Sequence, residues 1–262
     1  MSTQFGNYSD YSGVSKPPAS AIHVRDPRLN VLAALIPGIF TAKTCLDIGC
    51  NAGSVSTQLA LDFQAASVTG VDIDPQLVRQ AQALFALRAS RCCKPPTTSQ
   101  QPLVDYFPMS VVLTHGYRIE PEGKTRPNAS SAPALSTLPR VNFFSADWVT
   151  TDRVIAQPYD VILALSVIKW IHLEHLDRGL LSFFAKCASS LTTGGHLVIE
   201  LQTWDSYQKA VRPNKAPHFR QALNQLTLRP ETSFHDLLRA KGLHLCASSD
   251  ALPRRIDVYR KA

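Results

Sequence analysis

The sequence predicts an α/β protein built on one doubly wound, Rossmann-like parallel sheet. Short apolar runs alternate with amphipathic segments along most of the chain, and two of these runs end in an acidic residue beside a turn. Strands that alternate with helices form parallel sheets with right-handed crossovers. With 262 residues, the chain is long enough for one such domain and short for two. The pattern predicts seven strands, and we expect the last pair to include one antiparallel edge strand.

The central element is an apolar run that leads into the turn Asp-Ile-Gly-Cys-Asn-Ala-Gly at residues 47–53. Glycine at positions 49 and 53 lets the backbone approach a ligand where a Cβ would block it. A second apolar run, residues 67–74, also ends in acids. Adjacent strands would bring Asp72 to the edge where α/β sheets bind nucleotides, with the acid accepting from ribose hydroxyls. An ordinary strand-to-helix turn is the alternative that the glycines alone leave open.

Other elements of the first half follow from spacing and composition. Residues 1–30 form a polar arm with three aromatic residues, which by itself is typical of a disordered tail. One domain, residues 31–262, follows. Periodicity and the Pro37-Gly38 stop predict helices over residues 28–40, 53–62 and 75–91. Residues 92–140, rich in Pro, Ser and Thr, are predicted to form a long insert.

The second half resumes the alternation of strands and helices. A helix over residues 176–191 is expected to end in a glycine cap at residues 192–195. Residues 215–241 are predicted to be helical and basic. Apolar runs predict strands over residues 141–144, 159–166, 196–201, 243–246 and 256–259.

The net charge of +7 is unevenly distributed. Residues 205–262 contain eleven Lys and Arg against five Asp and Glu, and residues 90–140 contain six against three. Phosphate neutralisation supplies most non-specific affinity for nucleic acid, so a basic surface beside a cofactor pocket favours a polyanionic substrate. A basic, solubilising face explains the charge equally well.

Cysteine and hydropathy patterns narrow the class of protein. The six cysteines include no Cys-x-x-Cys pair, so we expect reduced thiols and no metal site. No apolar run approaches the roughly 18 residues of a membrane span, and the polar start lacks the character of a signal peptide. These patterns predict a soluble, intracellular protein without membrane association.

Two segments that follow predicted strand ends carry a resemblance to a known family. They are Lys-Trp-Ile-His-Leu at residues 169–173 and Glu-Leu-Gln-Thr-Trp at residues 200–204, together with Gly-Asn-Tyr at residues 6–8. With these motifs the chain resembles the bicoid-interacting, methylphosphate capping enzyme family of RNA 5′-phosphate methyltransferases, over most of its length outside residues 92–140. The Asp-x-Gly-x-x-x-Gly turn is likewise similar to that of S-adenosylmethionine-dependent methyltransferases, whereas dehydrogenases use Gly-x-Gly-x-x-Gly. The resemblance implies a seven-stranded class I methyltransferase sheet.

The resemblance also implies two sets of site residues. The first surrounds S-adenosylmethionine: Arg28, Asp47, Gly49, Cys50, Asn51, Gly53, Asp72, Ile73, Asp147, Trp148 and Leu165. Asp72 suits the ribose hydroxyls, Asp147 with Trp148 the adenine, and Arg28 the methionine carboxylate as a bidentate donor. The second set lines the phosphate side: Tyr8, Tyr11, Lys169, His172, Gln202 and Tyr207. The chain has Tyr11-Ser12 where animal members have two adjacent tyrosines, which puts one aromatic contact in doubt.

Methyl transfer to a terminal phosphate requires these residues to position the phosphate but not to remove a proton from it. A phosphate monoester carries nearly two negative charges at pH 7, so the reaction needs positioning and no general base. Lys169 and Tyr11 fit as donors to the oxygens that do not attack. Three residues of the Lys-Trp-Ile-His motif also have a structural interpretation. Lys169 could be a solvated lysine at a strand end, Trp170 could pack in the core, and His172 could make a structural hydrogen bond.

Substrate and partners follow from the resemblance alone. It implies a small structured RNA whose 5′-terminal phosphate, expected to be the γ-phosphate, is capped by methylation. It further implies a La-related protein as a partner and a nuclear location, with the cytoplasm left open, for an enzyme expected to be monomeric. Two alternatives remain: a non-catalytic RNA-binding scaffold of a ribonucleoprotein, and a methyltransferase that acts on a protein or a small molecule.

Overall fold

The computed structural model describes residues 25–92, 139–151 and 158–262. Most of the predicted arm and of the predicted insert lies outside these ranges. The proposed site residues Tyr8 and Tyr11 lie outside them as well. None of the described helices is long and apolar enough to cross a membrane.

Seven strands form one sheet, as predicted, in the order β3-β2-β1-β4-β5-β7-β6. The strands are β1 (Thr44–Ile48), β2 (Ser67–Asp72), β3 (Arg140–Ser145), β4 (Tyr159–Ala164), β5 (Leu191–Glu200), β6 (Leu243–Ser249) and β7 (Ile256–Lys261). Strands β1 to β5 pair in parallel, whereas β7 runs antiparallel to both β5 and β6. The prediction that the last pair includes one antiparallel edge strand is confirmed: β6 forms the edge and pairs antiparallel with β7, which lies inside the sheet.

Seven described α-helices flank the sheet. They are α1 (Pro27–Leu35), α2 (Ser54–Leu61), α3 (Pro75–Cys92), α4 (Ile168–Ser190), α5 (Trp204–Ala210), α6 (Arg220–Gln225) and α7 (Pro230–Arg239). A 3-10 turn, Pro217–Phe219, precedes α6.

Alternate residues of the strands build a separate core on each face of the sheet. Leu46 and Ile162 belong to the cluster that contains Phe183 of α4. Cys45 and Val161, one position earlier on the same two strands, belong to a second cluster, which contains side chains of helices α1 and α2. Helices thus cover both faces, which confirms the doubly wound architecture.

A break at Leu176, where φ is +58° and ψ is −169°, divides α4 into residues 168–175 and 177–190. The second piece starts within one residue of the predicted start at 176, whereas the first piece was not predicted, because the continuous apolar run from β4 masks its helical periodicity. The predicted glycine cap is wrong, because the helix ends at Ser190 and Leu191 already starts β5, which includes residues 192–195.

The basic segment of residues 215–241 is not one helix. Prolines at 217 and 230 each open a new helical piece, as expected for a residue that suits the first turn and interrupts a helix interior. Helix α5, which follows β5 directly, was not predicted at all. Helices α5 and α6 and the 3-10 turn form a small apolar cluster with Leu173 of α4, and this cluster includes Tyr207 and Phe219.

Candidate active site

The turn after β1 joins the two halves of the candidate site. Gly49 has φ of +73°, and a Cβ there would lie 2.6 Å from Cγ2 of Val167, at the start of α4. Backbone N–H groups of Gly49 and Cys50 both donate to the carbonyl of Val71 on β2, at 2.8 and 3.0 Å. The close approach that Gly49 permits is therefore an approach to α4, two residues before Lys169.

Gly53 has a structural role that the sequence analysis did not anticipate. Its φ is +79°, and an added Cβ would meet Cβ of Ala81 on α3 at 2.6 Å. Its small size is thus required by helix packing. A contact between Gly53 and a cofactor stays a prediction.

Asp72 ends β2 at the predicted edge and is held by the neighbouring backbone. Its Oδ2 accepts from the N–H of Asn51 at 2.8 Å, and its Oδ1 from the N–H of Asp74 at 3.0 Å. Burial raises the pKa of Asp72, although these N–H donors act in the opposite direction. A carboxylate has about four acceptor sites, so acceptor capacity remains for ribose hydroxyls.

Asp47 lies beneath the turn and is 2% exposed. Its Oδ2 accepts from the hydroxyl of Ser56 on α2 at 2.6 Å. Burial is the main cause that raises the pKa of Asp47 to about 6. This geometry favours a role in supporting the turn, and direct cofactor contact by Asp47 stays a prediction.

Asp147 and Trp148 follow β3 at the same edge. Asp147 accepts from the N–H of Val149 at 2.9 Å, and its Oδ2 lies 2.9 Å from Nε2 of His175 on α4. Trp148 is 3% exposed, and Nζ of Lys186 lies 4.6 Å from its ring centroid. The indole is therefore largely packed in the core, and its predicted contact with adenine is not tested. Three other residues predicted to surround the cofactor lie at the same edge, two of them buried and the third half-buried: Cys50, Leu165 and Ile73.

Arg28 lies in an ionic cluster that the sequence did not reveal. Its Nε donates to Asp26 at 2.9 Å, and its Nη1 to Glu200, at the end of β5, also at 2.9 Å. Glu200 accepts from the hydroxyl of Ser166 as well. Nη1 of Arg254 lies 2.8 Å from that same hydroxyl oxygen. Two carboxylates thus balance and hold the two guanidinium groups.

Lys169 projects from the first turn of α4 and is 7% exposed. Its Nζ donates to the hydroxyl of Ser206 on α5 at 3.0 Å and lies 4.8 Å from the ring centroid of Trp170. Its backbone N–H donates to Oε1 of Gln202 at 3.3 Å. Burial, then the charges of Arg254 and Lys215, lowers its pKa to about 8. Lys169 is therefore a buried cation with further positive charge close by, and it is not the solvated lysine of the alternative interpretation.

His172 and Tyr207 are both fully buried. Nδ1 of His172 lies 3.3 Å from the hydroxyl of Tyr207, and its Nε2 lies 2.7 Å from Oδ1 of Asp177. The structure therefore brings these two predicted residues together behind Lys169, without exposing either to solvent. Direct contact with a substrate stays a prediction for both, and the geometry favours a supporting role.

Four residues of the site were missed: Ser166, Asp177, Ser206 and Arg254. Glu200 was noticed only as part of a motif. The only sequence feature that could have indicated Arg254 is the basic character of the last segment. Among the described residues, no group of three or more His, Cys, Asp or Glu is placed to hold a metal ion.

Known proteins resemble this chain in both sequence and fold. The family model described as bicoid-interacting protein 3 matches residues 159–261, and a methyltransferase domain model matches residues 45–98, which include the turn and Asp72. The second match confirms the predicted methyltransferase domain and its cofactor, S-adenosylmethionine. The chain also superposes on the N-methyltransferase NodS of Bradyrhizobium japonicum WM9 with a TM-score of 0.54 at 12% identity, covering 90% of this chain and 94% of that one. This likeness confirms the class I methyltransferase fold.

Relatives with similar sequences come from plants and animals. A probable RNA methyltransferase of Arabidopsis thaliana is 32% identical, over 98% of this chain and 80% of its own length. The U6 snRNA methylphosphate capping enzyme Amus of Drosophila melanogaster is 30% identical, over 88% of this chain and 63% of its own length. The 7SK snRNA methylphosphate capping enzyme of Mus musculus is 31% identical, over 79% of this chain and only 32% of its own length.

Proposed function

Because the chain belongs to the bicoid-interacting protein 3 family, we propose that it is an RNA methyltransferase that caps the 5′-terminal phosphate of a small structured RNA. One observation carries the proposal beyond family membership. Lys169 is a buried cation at the carboxyl edge of the sheet, and the turn that precedes α2 packs against the same helix start through Gly49 and Val167. A cation for an anionic acceptor thus lies beside the predicted cofactor turn.

The residues at this edge fit S-adenosylmethionine by their donor and acceptor chemistry. Asp72 keeps acceptor capacity at the end of a buried strand, and the turn from Gly49 to Asn51 lies next to it. Asp147 and the Arg28 cluster would complete the site on either side. When bound, the cofactor supplies an electrophilic methyl group on a sulfonium.

The residues of the phosphate side act by positioning. A terminal phosphate carries nearly two negative charges at pH 7, so no group has to remove a proton from it. Lys169, whose pKa of about 8 leaves it mostly protonated at pH 7, would fix oxygens that do not attack, with Ser206 holding the ammonium. Gln202, His172 and Tyr207 would keep this arrangement rigid, and a rigid arrangement supplies much of the rate in such reactions.

The finer assignments rest on the names of relatives. Those names include U6 and 7SK snRNA methylphosphate capping enzymes and RNA 5′-monophosphate methyltransferases. By analogy with the snRNA capping enzymes we propose a small nuclear RNA as the substrate. The γ-phosphate as the acceptor, the nucleus as the location and a La-related protein as a partner are proposed from the resemblance to the family alone. The basic segment after residue 205 would contact the RNA backbone.

The decisive experiment is transfer of labelled methyl to one hairpin RNA prepared with a 5′ triphosphate, monophosphate or hydroxyl. Label on the triphosphate form alone supports capping of the γ-phosphate, and label on the monophosphate form moves the acceptor to processed RNA. Label that does not depend on the 5′ end refutes the proposal. The variant Lys169→Met should lose transfer, and Lys43→Met, at an exposed lysine just before β1, should retain it.

A scaffold function is the second candidate, because residues 205–262 are strongly basic. It predicts that wild-type protein has no affinity for S-adenosylmethionine, and that Asp72→Ala binds the hairpin RNA as tightly as wild type. Measurable cofactor affinity that Asp72→Ala reduces would exclude it.

A further inference from the structure

Leu176 divides α4 into two unequal pieces. Its φ of +58° and ψ of −169° interrupt the helix between residues 168–175 and 177–190. Glycine is the residue that tolerates this conformation, and strained backbone of this kind concentrates at functional sites. The short piece carries Lys169 and His172, and Asp177 is the first residue of the long piece. The orientation of the short piece therefore depends on what is fixed across the interruption.

Asp177 makes the contacts that connect the two pieces of α4 across the interruption. Its two carboxylate oxygens accept from Nε2 of His172 at 2.7 Å, from the N–H of Thr227 at 2.9 Å and from the N–H of Leu228 at 3.3 Å. They also accept from the hydroxyl of Thr227 at 2.5 Å. Burial alone would raise the pKa of Asp177, but the Thr227 hydroxyl, the imidazole and these N–H groups together lower it. One ionised carboxylate thus joins both pieces of α4 to the segment between α6 and α7.

These contacts determine the tautomer of His172. An ionised carboxylate only accepts hydrogen bonds, so Nε2 of His172 must carry a proton. Burial lowers the pKa of this imidazole, although Asp177 acts in the opposite direction, and the neutral ring therefore has a bare Nδ1. Nδ1 lies 3.3 Å from the hydroxyl of Tyr207, which must be the donor.

The hydroxyl of Tyr207 in turn places α5. Ser206, the preceding residue, accepts from Nζ of Lys169 at 3.0 Å. Lys169 and His172 are three positions apart and so lie on one face of the short piece. Two side-chain hydrogen bonds, Lys169 to Ser206 and His172 to Tyr207, therefore hold α5 against the short piece of α4. The second of them depends on the tautomer of His172.

We propose that Asp177 is a positioning residue that acts through His172 and Tyr207 to hold α5, and with it Ser206, against Lys169. The inference rests on the proposed function, because the reaction it serves is methyl transfer to the 5′-terminal phosphate. A helix cap would accept from backbone N–H groups of the helical turn that follows it. The contacts described for the Asp177 carboxylate go instead to His172, Thr227 and Leu228, so capping does not account for them.

A double-mutant cycle with conservative variants tests the inference. Asp177→Asn keeps the shape of the side chain, and Tyr207→Phe removes only a hydroxyl, so both variants are expected to fold. Each should lower kcat for methyl transfer to the triphosphate hairpin about tenfold, the effect of one buried hydrogen bond on a rate. The double variant should be no slower than the slower single variant, because both changes break one relay. The affinity for S-adenosylmethionine should stay within twofold of wild type in all three.

Several outcomes distinguish a positioning role of Asp177 from a purely structural role and from no role. Additive losses in kcat, or an unchanged kcat in Asp177→Asn, would overturn it, and so would a parallel loss of cofactor affinity, which indicates a general loss of structure. Glu174→Gln, at an exposed position of the short piece of α4, is the matched control and should equal wild type. Nitrogen NMR of His172 should show a protonated Nε2 and a bare Nδ1 in wild type, and the opposite tautomer would also overturn the inference. A wild-type protein that methylates no 5′-phosphorylated RNA would refute the proposed function itself.

Discussion

Replacing Lys169 by methionine should stabilise the fold at pH 7 while it abolishes methyl transfer to RNA. Methionine keeps the length and the apolar stem of the side chain but removes the buried charge. The ammonium is unfavourable in the folded state because burial, and then the charges of Arg254 and Lys215, lowers its pKa. A residue that costs stability where it lies is readily explained if it serves the reaction.

The size of the effect follows from the pKa. A fall from the ordinary lysine value of 10.5 to about 8 corresponds to about 3 kcal/mol at 1.36 kcal/mol per unit. Methionine loses the hydrogen bond to Ser206, about 1 kcal/mol, and the cation–π contact with Trp170, also about 1 kcal/mol. A net stabilisation of about 1 kcal/mol remains at pH 7.

Stability against pH gives the sharper measurement. Between pH 8 and pH 10.5 the unfolded chain binds more protons at Lys169 than the folded chain, so the free energy of unfolding rises with pH in this window. Below it the full penalty is present, and above it the penalty is gone. Urea unfolding of wild type and Lys169→Met at pH 7 and at pH 10 should therefore show that the advantage of the variant shrinks and then reverses.

Two results would refute this reasoning. One is an advantage of the variant that does not change between pH 7 and pH 10, because the charge of Lys169 would then not be its source. The other is methyl transfer by Lys169→Met at the wild-type rate, which would remove Lys169 from the phosphate site. Lys209→Met is the control: Lys209 is exposed and paired with Asp205, so its loss should change stability by no more than about 0.5 kcal/mol.

Three further substitutions test the turn and the interrupted helix. Gly49→Ala should cost about 2–4 kcal/mol and weaken cofactor binding, because its Cβ would collide with α4, whereas Gly38→Ala, with φ of +75° but open space, should cost about 1 kcal/mol in urea unfolding. Asp47 has a folded pKa of about 6, so between about pH 4 and pH 6 the folded state binds more protons than the unfolded state, and the free energy of unfolding of wild type falls as pH rises. Asp47→Asn should remove this fall, and an equal dependence of the free energy of unfolding on pH in both proteins would contradict the prediction. Leu176→Gly should stay within about 1 kcal/mol of wild type in thermal unfolding, because relief of the positive φ offsets lost packing. Leu173→Gly, in regular helix, should cost several times more.

The fold was largely predictable because its strands have strong local patterns. Tyr159–Ala164 is apolar except for Asp160, and Thr44–Ile48 ends at a glycine turn, so both could be placed without tertiary information. The interruption at Leu176 could not, since no pattern of polarity indicates a positive φ at a leucine. The sequence predicted an antiparallel strand in the last pair but not that β7 lies inside the sheet, because strand order depends on long-range contacts that the sequence of one strand does not contain.

The site was predictable in membership but not in arrangement. The motifs indicated Arg28, Lys169 and His172, yet the partners that define their environments lie far away in sequence. Arg28 meets Glu200 across 172 positions, and Lys169 meets Ser206 across 37. Burial was also invisible to motif reasoning: a histidine beside a strand end could not be distinguished from a fully buried relay between Asp177 and Tyr207.

The strand order explains how one edge can serve a cationic cofactor and an anionic acceptor at once. Strands β3, β2 and β1, on one side of the sheet, end in or near Asp147, Asp72 and Asp47, and these carboxylates favour a sulfonium. Beyond β4, on the other side, lie Lys169 and Arg254. Glu200 and Asp177 are acids of the site on that side. Arg28 and Arg254 both contact Glu200, and His172 and Thr227 both contact Asp177, so neither carboxylate repels phosphate as a bare charge would. The acids of β1 to β3 and the cations Lys169 and Arg254 thus lie on opposite sides of the junction of Gly49 and Val167, which is where the two reactants of the proposed reaction would meet.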